Sequence, residues 1–272
     1  MLCYRIHALT RPHTLSILAI GLAAILHSGI ASAQDGSPAP RAPAPAARPG
    51  SCRTDGFFTI FQCVFFDLAS IAQKEPLIWL AAGGAAAGGV SALDDETLER
   101  MTDKDPEDDP AIEAGDLLGH AGLQFGAPLA LYMIARAADH PGTRSLAVAL
   151  VRAQIINAGV TRGLKLFPRA RPGREEASVG HGSFPSGHTS AAFATATVLQ
   201  RRLGSKAGIP AYALATFIGI SRLQDQHYLS DVTFGAFAGI ASGLALKLPS
   251  TSRVAITPML GRGVTGVSLS IY

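Results

Sequence analysis

The sequence predicts an all-α protein, a bundle of about six core helices with a short β-hairpin at its C-terminus. Three observations predict it. Apolar segments rich in Ala and Gly, each of helical length, follow one another from residue 57 onward. Alternating, strand-like patterns are scarce before residue 254. Hydrophobic residues make up 48% of the 272 residues and charged residues only 16%, so the chain can bury a sizeable core.

The first 50 residues carry an export pattern and then a linker. Arg5 and Arg11 precede an apolar run, and Ala31-Ser32-Ala33 has the small residues of a signal-peptide cleavage site. We therefore predict a signal peptide over 1–33 and an exported protein, with an uncleaved anchor as the alternative. Residues 34–50 are mostly Pro, Ala and Arg and predict an extended linker.

Because an exported protein enters an oxidising compartment, we expect a disulfide between Cys52 and Cys63, the two cysteines beyond the signal. It would close a small loop. A helical domain over 51–252 follows from the apolar segments, and residues 253–272 form a tail. In that tail, Val254–Thr257 and Val267–Tyr272 alternate as the two strands of a hairpin do. The predicted helices lie near 57–72, 76–93, 115–138, 145–167, 187–203, 209–223 and 231–248.

The net charge of +3 hides two local imbalances. Nine acids and two bases lie between Asp94 and Asp109, and we interpret this run, which contains Pro106 and ends just before Pro110, as a solvated loop. Five bases and no acid lie between Arg162 and Arg174.

Two interpretations of the helices stay open. Residues 76–93 come close to the roughly 20 apolar residues of a membrane span. Residues 145–167, in contrast, carry Arg152, Gln154 and Asn157, which are costly in lipid unless this polar face lies inside the bundle. The chain is therefore either a set of membrane spans or a soluble or peripheral periplasmic bundle. In the first case its basic loops lie on the cytoplasmic side of the membrane and its polar motifs on the outer side. The basic loop residues are Arg136, Arg144, Arg201, Arg202, Lys206, Lys247 and Arg253.

Three polar motifs interrupt the apolar helices between residues 165 and 231. In the stretch SFPSGHTSAAF, Ser186 is placed to begin a helix, whose free N–H groups and positive dipole end attract anions. Gly187 lets an anion approach closely, and His188 can donate a proton to it. A capped helix with an incidental histidine is the alternative.

The other two motifs add cations and a second histidine. In KLFPRARPG, Lys165 ends a helix and Arg171 follows in a loop stiffened by proline, where both can bind oxyanions. In SRLQDQHYLSD, Arg222 is a further oxyanion ligand. His227 and Asp231 are four residues apart, so one helical turn would let the carboxylate orient the imidazole as a nucleophile.

These motifs, in this order, resemble those of the type 2 phosphatidic acid phosphatase and vanadium haloperoxidase superfamily, over roughly residues 115–248. The resemblance implies a helical bundle that hydrolyses phosphate esters without a metal. It implies His227 as the nucleophile that forms a phosphohistidine, His188 as the general acid and Asp231 as the group that orients His227. The implied phosphate ligands are Lys165, Arg171, Ser186, Gly187 and Arg222.

Two spacings are one residue shorter than is usual in that superfamily. Five residues separate Lys165 from Arg171, and four separate Arg222 from His227. Inside a helix, such a deletion would rotate a side chain by about 100°. Arg162 and Arg169 are therefore alternatives to Lys165 as ligands.

The expected function is an envelope phosphatase that acts on phosphate monoesters or diphosphates at the periplasmic face of the membrane or in the periplasm, with lipid phosphates as the expected substrates. We expect no nucleic-acid partner and no cofactor, with vanadate as an inhibitor. Two alternatives remain, a haloperoxidase with vanadate as its cofactor and a non-catalytic helical envelope protein. His120 and His140 are expected to be structural or surface residues, and His181 to lie at the rim of the site.

Overall fold

The computed structural model describes residues 59–102, 109–176, 179–223, 227–248, 254–261 and 264–271. The helices are α1 (Thr59–Ser70), α2 (Lys74–Val90), α3 (Asp94–Thr102), α4 (Pro110–Gly119), α5 (Ala121–Ala137), α6 (Pro141–Leu164), α7 (Gly187–Leu203), α8 (Ser205–Ile220) and α9 (Leu229–Ala245), with a 3₁₀ turn at Ser91–Leu93. The predicted all-α fold is confirmed.

The C-terminal strands pair as predicted. β1 (Val254–Gly261) and β2 (Val264–Ile271) form an antiparallel hairpin, in which Val254 lies opposite Ile271. The predicted signal peptide and linker lie outside the described residues. Cys52 does too, so its pairing stays a prediction, although Cys63 is buried and disulfide-bonded.

Two sequence-based expectations are wrong. The interpretation of the acidic run as a solvated loop fails for Asp94–Thr102, which forms α3, because acids in the first turn suit the positive end of the helix dipole. Its first residue, Asp94, is only 4% exposed. The single helix expected over 115–138 is two helices bent by 56°, because the backbone of His120 is extended and separates α4 from α5.

The helix directions bring the polar motifs to one end of the bundle. The helix α9 packs against α2, α6 and α7, and α7 also packs against α8. Because α6, α7, α8 and α9 alternate in direction, the C-terminal ends of α6 and α8 lie beside the N-terminal ends of α7 and α9. We call this the motif end, and the other end of the bundle the far end.

Three glycines let α9 lie very close to α7. They are Gly235, Gly239 and Gly243, spaced four residues apart on one face of α9. A Cβ on Gly235 would stand 2.8 Å from the carbonyl oxygen of Ser186, and one on Gly239 would meet the carbonyl oxygen of Ser190. The close contact of these two helices sets the distance between the second and third motifs.

Polar side chains of α6 lie inside the bundle, as their cost in lipid required. Gln154 donates to the carbonyl oxygen of Ala191 at 3.0 Å. At the far end, Arg152 and Asp67 form a fully buried ion pair, with 2.8 Å between Nε and Oδ2. The same carboxylate accepts the backbone N–H of Lys247 at 3.0 Å, which ties α1 and α6 to the chain just after α9.

By length and composition, one helical segment of the described chain, Lys74–Met101, could cross a membrane, or two if α4 and α5 count together as a bent span. Several helices also expose large apolar side chains. These include Phe65 and Phe66 on α1, Leu77 and Ile78 on α2, Met133 and Ile134 on α5, and Ile209, Leu214 and Phe217 on α8.

The glycine contact predicts unequal effects of the same substitution at two sites. Gly239→Ala should lower the thermal unfolding midpoint by several degrees, because overpacking costs about 1–3 kcal/mol and each kcal/mol is worth roughly 2–4 °C in a chain of this size. Gly84→Ala on α2, where a Cβ meets nothing within 4 Å, is the matched control and should be neutral or stabilising. Equal midpoints for the two variants in thermal unfolding would contradict the tight contact.

Candidate active site

The second motif begins α7, but the Ser186 hydroxyl does not cap the helix as the sequence suggested. This residue is at the N-cap position and fully buried, but its hydroxyl makes no cap and instead accepts a hydrogen bond from the Thr189 hydroxyl at 2.9 Å. Its backbone N–H donates to the carbonyl oxygen of Asp231 at 3.1 Å, which links the starts of α7 and α9. A Cβ on Gly187 would meet nothing within 4 Å, so there is open space at the helix start.

His188 shares one carboxylate with Arg222. Nε2 of His188 lies 3.2 Å from Oδ1 of Asp116, and Nη1 of Arg222 lies 2.9 Å from the same oxygen. Asp116 on α4 therefore holds the second motif beside the third. The backbone of Gly119 comes so close to His188 that a Cβ would stand 2.8 Å from the Cβ of the histidine.

Sequence reasoning missed Asp116 as a site residue. A lone carboxylate in an apolar segment was the signal that could have found it, because such a group usually faces a cation. Burial lowers the pKa of His188, and the Asp116 carboxylate acts in the opposite direction. The imidazole of His188 thus depends on Asp116 for its ability to hold a proton.

His227 lies just before α9 and is 3% exposed. Its Nδ1 is 3.8 Å from Oδ2 of Asp231, which is longer than a hydrogen bond, and Nδ1 has no hydrogen-bond partner among the described residues. The same Oδ2 accepts the backbone N–H of Tyr228 at 2.9 Å, so the carboxylate is fixed by the helix start. Burial lowers the pKa of His227 to about 4, although Asp231 acts to raise it. The imidazole is therefore neutral at pH 7.

The first motif runs from the end of α6 into the loop before α7. Lys165 is the C-cap of α6, and its Nζ donates to the carbonyl oxygen of Gly182 at 2.6 Å. Nε of Arg171 donates to the carbonyl oxygen of His181 at 3.3 Å, so the backbone of His181 lies beside the first motif. Burial and the nearby charge of Arg171 lower the pKa of Lys165 to about 8.

The two short spacings fall between helices. The residues between Lys165 and Arg171 follow the end of α6, and those between Arg222 and His227 lie between α8 and α9. A connection can absorb a missing residue without the rotation that a helix would impose. Of the alternatives to Lys165, Arg169 instead faces the carboxylates of Asp94 and Asp231, at 3.0 and 2.9 Å.

Electrostatic couplings connect the three motifs. Besides burial, the charges of Arg171 and Lys165 lower the pKa of His227. The pKa of Arg171 is lowered by burial and then by the charges of Arg174 and Arg222, so a charge of the third motif also acts on the first. The structure therefore gathers the motif cations, both histidines and the start of α7 at the motif end.

The other histidines have separate positions. Nδ1 of His120 accepts the N–H of Gly122 at 3.1 Å and so caps α5, while its ring lies 6.2 Å from that of His188. His140 is exposed at the start of α6. Across the described ranges, His, Cys, Asp and Glu side chains form no group of three or more that could hold a metal ion.

Residues 143–252, which contain most of α6, all of α7 to α9 and all three motifs, match the family model of the PAP2 superfamily. The part of the chain that carries the motifs is therefore similar to the PAP2 superfamily. Over 88 residues it is 41% identical to the lipid A 1-phosphatase of Porphyromonas gingivalis, a match that covers 31% of this chain and 19% of that enzyme. The chain thus spans about a fifth of the length of this curated relative.

A solved PAP2 structure also overlaps with this one. It is the transmembrane PAP2 type phosphatidylglycerolphosphate phosphatase from Bacillus subtilis, with 20% sequence identity and a TM-score of 0.43. The overlap covers 70% of this chain and 93% of that chain.

The buried His227 predicts a loss of stability in acid. Between pH 6.5 and about 4 the unfolded chain binds a proton at this residue that the folded protein excludes, so folding stability falls as the pH drops through that window. His227→Gln should show a smaller fall in the unfolding midpoint between pH 7.5 and pH 5 than the unsubstituted protein. His140→Gln, at an exposed histidine, is the control and should keep the full fall; equal falls in both variants would contradict the burial of His227.

Proposed function

We propose that this protein is a PAP2 phosphatase of the cell envelope that removes phosphate from lipid phosphomonoesters or diphosphates through a phosphohistidine, without a metal. The observation that carries the proposal is the meeting of three motifs at one end of the bundle, joined by the shared Asp116 contact and by the bond between Ser186 and Asp231. The match to a lipid A 1-phosphatase supports the substrate class.

The cations and the start of α7 suit a tetrahedral oxyanion. Lys165, Arg171 and Arg222 supply positive charge, and partial burial strengthens their attraction for an anion. The helix start next to Gly187 adds backbone N–H groups that the Ser186 hydroxyl does not cap. A phosphate bound there would compete with the Asp116 carboxylate for the guanidinium of Arg222.

The protonation of His227 suits the reaction, and the carboxylate of Asp116 supports a proton on His188 against the burial that lowers its pKa. His227 is neutral, and a proton on Nδ1 next to Asp231 leaves the lone pair of Nε2 free to attack phosphorus. As the P–N bond forms, the bond to the leaving oxygen breaks and His188 gives that oxygen a proton. Water then attacks the phosphohistidine, the P–N bond breaks, and His188 takes up a proton from the water. Hydrogen bonds that are long without substrate commonly tighten during such a reaction.

A lipid substrate is supported by apolar side chains next to the cations. Leu166, Phe167 and Val179 are 62%, 77% and 62% exposed. Their positions are adjacent, because the N–H of Gly180 donates to the carbonyl oxygen of Lys165 at 3.0 Å. An apolar loop beside a phosphate ligand suits a phosphate carried on acyl chains at a membrane surface.

We place the motif end on the periplasmic side. Basic residues of the far end, including Arg136, Arg144 and Lys206, then face the cytoplasm, as the positive-inside rule favours. A cysteine introduced at Val179 should react with a membrane-impermeant maleimide in whole cells. If that cysteine reacts with the maleimide only after the cells are broken, the motif end faces the cytoplasm instead.

His227→Ala should abolish phosphate release from lipid phosphates, a loss of at least about 10³-fold, because it removes the proposed nucleophile. Phosphate release from phosphatidate, phosphatidylglycerophosphate and lipid A measures this. An acid-labile phosphoryl group, detected by ³¹P NMR after quenching at alkaline pH, should appear on the unsubstituted protein only. Vanadate should inhibit phosphate release by the unsubstituted protein. Turnover that survives in the folded variant would remove His227 from its role.

The apolar loop predicts a split between substrates. Leu166→Ser with Phe167→Ser should lower kcat/KM for a long-chain phosphatidate by about 10-fold or more, because several kcal/mol of apolar contact is lost. Hydrolysis of a small soluble ester such as p-nitrophenyl phosphate should change less than about twofold. An equal loss on both substrates would instead indicate damage to the adjacent Lys165.

A further inference from the structure

Arg169 belongs to no step of the reaction above, yet its guanidinium makes three hydrogen bonds to side chains near the site. Nη1 donates to Oγ of Ser230 at 2.8 Å and to Oδ1 of Asp231 at 2.9 Å. Nη2 donates to Oδ2 of Asp94 at 3.0 Å. The guanidinium carbon also lies 4.3 Å from the centre of the Tyr228 ring, in a cation–π contact. One side chain of the first-motif loop is thereby fixed to α3 and to α9.

Asp94 closes these contacts into a ring. Its Oδ1 accepts the backbone N–H of Ser230 at 2.9 Å, and its Oδ2 accepts the Ser230 hydroxyl at 2.6 Å. The Asp94 side chain is 6% exposed and that of Asp231 is fully buried. Two buried carboxylates next to each other repel, and the charge of Arg169 between them offsets that repulsion.

We propose that Arg169 and Asp94 are a positioning pair that holds the Asp231 carboxylate in the orientation from which it faces His227. The proposal rests on the proposed function for its consequence in catalysis. The two oxygens of Asp231 have separate partners. Oδ1 is bound by Arg169, and Oδ2 accepts the Tyr228 N–H and faces Nδ1 of His227.

The geometry requires an arginine at 169. A planar guanidinium can bind two carboxylates and a hydroxyl at once in a fixed arrangement, whereas a lysine ammonium is a mobile point charge. Without that brace, only the Tyr228 N–H holds the Asp231 carboxylate, so Oδ2 can move away from Nδ1 of His227 and favours a proton there less. The nucleophilic nitrogen would then carry the proton in a fraction of the molecules.

A role as a phosphate ligand is the competing explanation for Arg169, since it lies two residues before Arg171. Its contacts argue against that role, because both terminal nitrogens already donate to Asp94, Ser230 or Asp231. A phosphate ligand and a positioning residue differ in kinetics, because the first acts on substrate binding and the second on the chemical step.

Arg169→Lys is the first variant to measure, with a small soluble phosphate ester as substrate. We expect kcat to fall about 10- to 100-fold, as is usual when a group that orients a reacting ligand is altered, while KM stays within about twofold. Asp94→Asn should lower kcat in the same direction but less, because an amide oxygen can still accept from Ser230. The matched controls are Arg100→Gln and Asp95→Asn, at exposed positions of α3, and both should keep full activity.

A spectroscopic measurement makes the test independent of turnover. In protein labelled with ¹⁵N histidine, the ring shifts of His227, assigned by their loss in His227→Gln, report which nitrogen carries the proton. We expect the proton on Nδ1 in the unsubstituted protein at pH 7 and a mixture of the two tautomers in Arg169→Lys. If Arg169→Lys does not fold, Asp94→Asn gives the same comparison.

Three results would overturn the proposal. They are a KM that rises tenfold or more at constant kcat, which would make Arg169 a phosphate ligand; an unchanged kcat in a folded Arg169→Lys variant; and His227 ring shifts that do not change. If the unsubstituted protein releases no phosphate from any ester, the proposed function fails. The tautomer comparison still decides whether Arg169 positions Asp231.

Discussion

The close contact between α7 and α9 is the constraint on which the site depends. Gly235, Gly239 and Gly243 remove the side chains that would separate the two helices, and the Ser186 N–H then reaches the carbonyl oxygen of Asp231. Both helices start at this contact, so the residues of the second and third motifs that flank the two helix starts lie next to one another. Dense helix packing of this kind leaves little room for the two histidines to move apart.

Carboxylates organise the cations around this contact. Asp116 faces Arg222 and His188, while Asp231 faces Arg169 and His227, so each histidine has a carboxylate that is shared with one arginine. Charges in a partly buried site interact strongly, and unpaired ones would destabilise it. Lys165 and Arg171 each donate to a backbone carbonyl oxygen, of Gly182 and of His181.

The sequence predicted most of this arrangement, for reasons that differ by element. Long apolar segments and the positions of Ser186, Lys165 and Arg222 located the helices and their ends, because periodicity and capping are local properties. The helix over Asp94–Thr102 was missed because its acids are also typical of a loop. Asp116 was missed although a lone carboxylate in an apolar segment is a signal, and the partners of Arg169 could not be found, because they depend on contacts between residues far apart in the chain. The absence of a cap by the Ser186 hydroxyl depends on a rotamer, which no pattern encodes.

The far end of α9 is supplied with hydrogen-bond donors from within the protein. Nη2 of Arg201 donates to the carbonyl oxygen of Leu246 at 3.1 Å, and its Nη1 donates to that of Gly243. The last carbonyl groups of a helix usually need water or a cap, and in hydrocarbon each unmet group costs several kcal/mol. Because Arg201 of α7 supplies these donors, this terminus can lie where hydration is scarce, at the depth of the lipid head groups or below them.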